Sequence, residues 1–172
     1  MKTAVQRRTV DLSAYPDLVV ILLGMRVHTL TGFKTLFGLG PQIMRAAAER
    51  PDGLLHVENN IVAGLRPVHL TMRWYWRDFE SMERWSRSDQ HRRWWVDFLR
   101  DSKGTGFWHE TYFMRGGMEA VYDDMDGPPV GFAAFAPVVP ARGSMFSARA
   151  RLKKGEAAPQ QPEGMGEREL YD

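Results

Sequence analysis

The chain has 172 residues, 44% hydrophobic, 26% charged and 12% aromatic, with a net charge of +2 and no cysteine. That apolar fraction in a chain of domain size is enough for a core, so a wholly disordered protein is excluded. Disulfides, thiolate metal centres and a cysteine nucleophile are excluded too, and a reducing cytoplasm is the expected location.

Residues 1–16 read as an N-terminal arm. The longest apolar run, Leu18 to Met25, is eight residues closed by Arg26. Crossing a bilayer takes roughly 20, so no transmembrane helix and no membrane partner are expected. Lys2, Arg7 and Arg8 precede the run, but no small-residue cleavage site follows it, which argues against a signal peptide. Its β-branched and aliphatic residues predict a first strand over 18–27, buried on both faces. From Thr31 the spacing turns helical (Phe33, Leu36, Phe37, Ile43, Met44, Ala47). Gly38, Gly40 and Pro41 are expected to divide that segment into a short turn and a helix ending at Arg50, before Pro51-Asp-Gly53.

Two extended segments, 54–62 and 68–76, joined by Ala63-Gly-Leu-Arg-Pro67, predict a hairpin. Asp78 suits the cap of one long second helix with Phe79, Met82, Trp85, Trp94, Trp95, Phe98 and Leu99 on its apolar face, closed by Lys103-Gly104. A fourth strand is expected over 107–114, a turn at Gly116-Gly117 and a fifth strand over 118–122. The order β-α-β-β-α-β is the ferredoxin-like α+β arrangement, an antiparallel sheet covered on one face by two helices. We place this domain at 17–140 and a polar C-terminal extension at 141–172.

Both faces of the predicted sheet are apolar and aromatic: Val19, Ile21, Leu23 and Met25 oppose Val20 and Leu22, and Trp74 and Trp76 flank Tyr75. Such a face does not sit in water, so a homodimer is expected, two sheets closing into a dimeric α+β barrel. A pI of 9.0 raises the question of nucleic acid. Residues 141–172 hold six basic and five acidic side chains, leaving 17 and 16 in residues 1–140. With no basic stripe in the folded part, a nucleic-acid partner is not expected.

The stretches Gly24-Met-Arg26, Trp74-Tyr-Trp-Arg-Asp-Phe-Glu80, His91-Arg-Arg-Trp-Trp95 with Phe98, and Gly106-Phe-Trp-His-Glu-Thr-Tyr112 carry a family resemblance. Over about residues 17–140 the chain resembles the bacterial and fungal family similar to the monooxygenase of fumagillin biosynthesis, within the wider antibiotic-biosynthesis-monooxygenase group. The resemblance implies dimeric α+β barrels with a ligand cavity between sheet and helices. In that group some members oxygenate aromatic or polyketide substrates without metal or flavin, and others bind or degrade haem. The group often carries histidines on the second helix. Here the earlier such position is occupied by Trp85, and His91 remains.

His91 shares a helical stripe with Trp94, Trp95 and Phe98 at i+3, i+4 and i+7, which suits a general base or a haem ligand in an apolar setting. A structural histidine bonded to backbone is the plainer reading of the same spacing. His109 and Glu110 are adjacent on a strand, so only one enters the pocket. If it is Glu110, an ion pair with Arg26 of the neighbouring strand is expected; if His109, a second base. Trp74, Tyr75, Trp94, Trp95 and Tyr112 are the expected pocket walls. His28, His56 and His69 show no metal-ligand spacing, and Gly38-Leu-Gly40 lacks the rest of a phosphate loop.

Three functions are compatible with these residues: a cofactor-free monooxygenase of secondary metabolism acting on a small apolar molecule, a haem protein with His91 or His109 as axial ligand and a dehydratase-like or oxidative outcome, and a non-catalytic binder of hydrophobic molecules.

Overall fold

A computed structural model describes residues 6–115, 117–123, 128–129, 131–142 and 145. The elements in chain order are β1 (Arg7–Val10), β2 (Val19–Val27), α1 (Leu30–Ala48), β3 (Leu54–Leu65), β4 (Val68–Trp76), α2 (Phe79–Ser86), α3 (Asp89–Arg100), β5 (Thr105–Phe113), β6 (Tyr122–Asp123) and β7 (Val138–Pro140). The described residues divide into a terminal unit, 6–18 with those from 113 onward, and a central unit, 19–112.

The central unit is the ferredoxin-like module. Its four-stranded sheet has the order β3-β4-β2-β5, with β2 and β3 both antiparallel to the middle strand β4. Register puts Val19 opposite Trp76, Ile21 opposite Trp74 and Leu23 opposite Met72, so one face collects the large apolar side chains. Val19, Ala47, Trp74, Trp76 and Met82 form the buried cluster, and Ile43, Phe79 and Trp85 pack on it from the helices. Burial of these wide rings is what fixes the register, since a slip of one residue would turn every one of them to the other face.

Two helical expectations are corrected. α1 runs unbroken through Gly38, Gly40 and Pro41. A proline removes a single backbone donor, here the one owed to the Phe37 carbonyl. The Gln42 side-chain amide also donates to the Gly38 carbonyl at 3.1 Å. Conversely, the long second helix is two helices. Asp78 caps α2 by accepting from the Ser81 amide at 2.7 Å, and Ser88 caps α3 by accepting from the His91 amide at 3.3 Å. A second N-cap residue inside an apolar run opens a new helix because its side chain takes an amide that would otherwise bond backward.

Gly104 (φ +76°) closes the turn between α3 and β5, a left-handed position open to glycine. Its carbonyl accepts from the His28 and Thr29 amides at 2.9 and 3.2 Å, tying the end of β2 to the start of β5.

In the terminal unit β1 lies between β6 and β7, antiparallel to both. Residues 7–10, read from the sequence as part of an arm, are therefore strand, and of the strand expected over 118–122 only Tyr122 is extended and paired, with Arg8. Short strands such as these carry too few residues for a period to show. The Tyr15 hydroxyl donates to the Phe135 carbonyl at 3.1 Å, and their rings meet edge to face at 5.2 Å. The extension expected at 141–172 lies outside the described residues except for 141, 142 and 145.

Candidate functional site

Alternation along the strands of the central unit aims Ile21, Leu23 and Met25 of β2, Trp74 and Trp76 of β4, and Phe107, His109 and Thr111 of β5 at the helices. Between them and the helices lies a cavity of about 470 Å³. α1 closes it with Leu39 and Ile43, α2 with Phe79, Met82, Glu83, Trp85 and Ser86, and α3 with His91, Trp94, Trp95, Phe98 and Leu99. That lining contains no Lys or Arg. Its single carboxylate, Glu83, is paired with Arg87 one turn later, at 3.2 Å.

The break between α2 and α3 positions the histidine. Because the helix stops at Ser86, the Ser86 carbonyl is turned out of the helical ladder and accepts a hydrogen bond from His91 Nδ1–H at 2.7 Å. A carbonyl only accepts, so Nδ1 carries a proton, and in the neutral ring the Nε2 lone pair is left without a hydrogen-bond partner among the described residues. The ring of Trp85 lies 4.8 Å from the imidazole, and those of Trp94 and Trp95 at 6.3 Å each. Burial among these rings pushes the His91 pKa below its usual 6.5; the Ser86 bond pulls it upward, and the nearby His109 adds to the lowering. His109 stands across the Trp95 ring, 6.3 Å from it, and is exposed at the edge strand. The site thus holds an imidazole that is oriented by a backbone carbonyl and resists protonation through burial, at the wall of a mostly apolar chamber, with a second imidazole near its rim.

The opposite face of the sheet is a separate polar array. Trp108 Nε1–H crosses over Gly24 to donate to His69 Nε2 at 2.7 Å. A Cβ on Gly24 would lie 2.6 Å from that indole nitrogen, so the crossing needs glycine. Burial, and then the charge of Arg26, hold His69 below its usual 6.5. Two histidines depressed in this way make stability depend on acid. The unfolded chain binds protons at each below pH 6.5 while the folded chain resists them, so the contribution is complete above that value and is lost as pH falls beneath it. Melting temperature is expected to be flat from neutrality down to about pH 6.5 and to decline toward about pH 5, less steeply in His91→Leu. An unchanged decline in that variant would show that His91 does not bear the effect.

Of the residues singled out from the sequence, His91, His109, Trp74, Trp94 and Trp95 meet at the cavity. Arg26, Glu110, Tyr75 and Tyr112 do not line it: they have the other parity on their strands and belong to the opposite face. Of the two orientations left open for β5, the structure has His109 on the cavity side. Glu110 accepts instead from the Tyr112 hydroxyl, which keeps that phenol above its ordinary pKa. Arg26 is exposed and makes no ion pair with Glu110 among the described residues. Tyr75 donates to Glu58 at 3.3 Å and carries Arg73 over its ring. The lining also holds Trp76, which shares Trp74's parity, Trp85, Glu83 and Phe107, which shares that of His109; of these, sequence reasoning singles out neither Glu83 nor Phe107 for the pocket. Among the described residues no three His, Asp or Glu side chains are grouped as ligands for a metal ion.

The family model for monooxygenase af470-like proteins matches residues 18–132. Among solved structures, an aldoxime dehydratase is similar at 18% identity and TM-score 0.66, over 86% of this chain and 43% of its own. The aldoxime dehydratase OxdRE, solved in complex with butyraldoxime, is similar at 21% identity and TM-score 0.62, over 86% of this chain and 42% of its own. SnoaB, a cofactor-independent oxygenase from Streptomyces nogalater, aligns at 16% identity and TM-score 0.42 over 58% of this chain and 94% of its own. The chain spans less than half the length of the two dehydratases, and at these identities the likeness is one of fold. No curated protein sequence matches it.

Proposed function

Because the chain belongs to the monooxygenase af470-like family, we propose that it is a small-molecule monooxygenase of secondary metabolism with the cavity of the central unit as its substrate site. The observation that carries this is His91: a neutral imidazole, fixed by Ser86, with Nε2 unbonded at the wall of an aromatic chamber. In such a place a base takes a proton from a CH₂ group made acidic by a neighbouring carbonyl or aromatic ring. The carbanion gives one electron to dioxygen, and the two radicals combine to a C–O bond. Protonation by the imidazolium yields a hydroperoxide. Loss of water, which takes the second hydrogen from carbon, leaves a carbonyl: CH₂ and O₂ become C=O and H₂O. The substrate supplies the electrons, so the reading calls on neither metal nor flavin. His109, across Trp95, is proposed to relay protons at the rim. Arg26 and Glu110 are assigned no part in this chemistry.

The second reading, a haem protein, is favoured by the same Nδ1–H to carbonyl bond, which leaves Nε2 free as an axial ligand requires. The lining has no Lys or Arg to pair with haem propionates, so the residues present fit that group poorly. We also propose that the chain works as a homodimer in a reducing cytoplasm.

Purified protein offered polycyclic ketones and phenols under isotope-labelled dioxygen is expected to place one labelled atom in the product carbonyl and the other in water. Sedimentation equilibrium of the same preparation should give twice 19.7 kDa. A ligand recovered unchanged with no oxygen uptake would support the binder, and a Soret band on addition of hemin would support the haem protein.

A further inference from the structure

α1 is an odd wall for a cavity. Only Gly32, Ala46 and Ala47 of its 19 residues are buried, while Leu30 is 86% and Phe37 72% exposed. Apolar space lies on both of its flanks. Beside the 470 Å³ cavity a second crevice of about 190 Å³ runs beneath Leu36, Phe37, Pro41 and Met44, and the two share Leu23, Met25, Ile43 and Phe107. The middle of the helix is built from residues that weaken helices: Gly38, Gly40 and Pro41. Packing does not ask for those glycines, because a Cβ at either position would meet nothing within 4 Å, and neither has the left-handed backbone that glycine alone accepts. One polar tie crosses from this stretch to the far wall, Trp94 Nε1–H donating to Gln42 Oε1 at 3.3 Å.

We propose that residues 37–42 of α1 are the door of the cavity: the helix unwinds locally at Gly38-Leu-Gly-Pro41, the Gln42–Trp94 bond lets go, and the apolar ligand enters between α1 and α3. This rests on the reading of the cavity as a substrate site. The glycines that cost helix stability without serving packing are then there to keep the opening frequent. The door is a kinetic device, so it changes how fast a ligand comes and goes and leaves its affinity alone.

The test uses the full chain and an uncharged fluorescent probe, N-phenyl-1-naphthylamine, in stopped flow. Gly38→Ala with Gly40→Ala is expected to slow association and dissociation alike by about tenfold, with Kd unchanged. Gln42→Leu should speed both by about fivefold. Hydrogen exchange supplies a readout independent of ligand: the amides of residues 38–40 and 42–44 should exchange faster than those of the flanking turns, 34–37 and 45–48, and slow in the double alanine variant. Unchanged rates and exchange in that variant would overturn the door and leave the cavity standing. Failure of the unsubstituted protein to bind the probe would overturn the cavity and the door together.

Discussion

His91→Ala is expected to lower turnover by roughly a hundredfold or more, the usual cost of removing a general base, while the protein stays folded. The fold survives because the imidazole is bonded to one carbonyl at a helix break and to nothing in the buried cluster of Val19, Ala47, Trp74, Trp76 and Met82. The proposed proton abstraction requires a neutral His91 in the unsubstituted protein. Burial lowers its pKa from 6.5, so activity should rise with pH on the acid side and be level above about that value. His91→Gln separates the two roles of the ring, since an amide can still donate to Ser86 and cannot accept a proton from carbon. It should be as inactive as the alanine variant. If Gln restores turnover, orientation of the Ser86 carbonyl matters and proton abstraction by His91 is wrong.

Trp76→Ala should cost about 3–5 kcal/mol of stability, read by denaturant unfolding with an unchanged slope. Trp76 is 0% exposed and packs against the rings of Trp74, at 6.2 Å, and Trp85, at 5.6 Å, which also meet each other at 5.0 Å. Removing it empties the floor of the site as well as the core. The indole nitrogen of Trp76 has no hydrogen-bond partner among the described residues, so the ring is held by packing alone. Trp76→Phe removes an unsatisfied donor along with some volume and should therefore cost much less than alanine. An equal loss for Phe and Ala would mean that the indole nitrogen is satisfied, by the face of Trp85 or by water.

The same residues show how far the sequence could be read. Strand periods placed Trp74 and His109 on β4 and β5, and the order of elements named the topology, because both depend on local pattern. Tyr75 is expected at the site on residue type although its parity opposes that of Trp74, whereas Tyr112 shares the parity of Glu110, and alternation alone leaves open which side of β5 faces the cavity. The break at Arg87 was written in Ser88-Asp89, a cap and an acidic first-turn residue, but the continuing apolar spacing of Trp85, Trp94 and Trp95 concealed it. The Ser86–His91 bond, which orients an apolar-stripe histidine, exists only because of that break. β1 and β7, of four and three residues, depend on partners distant in sequence, and no local signal specifies them.

Trp108 reaches His69 only because Gly24 is bare, which binds three positions on three strands into one heritable unit. Among relatives of this chain, any side chain at the position of Gly24 should coincide with loss of the tryptophan, the histidine or both, since the ring and a Cβ would compete for one space. The indole only donates, so lysine or arginine in place of His69 would leave two donors facing each other, whereas glutamine or asparagine would preserve the bridge. The permitted alphabet at position 69 is thereby set from β5, by a residue 39 places along the chain.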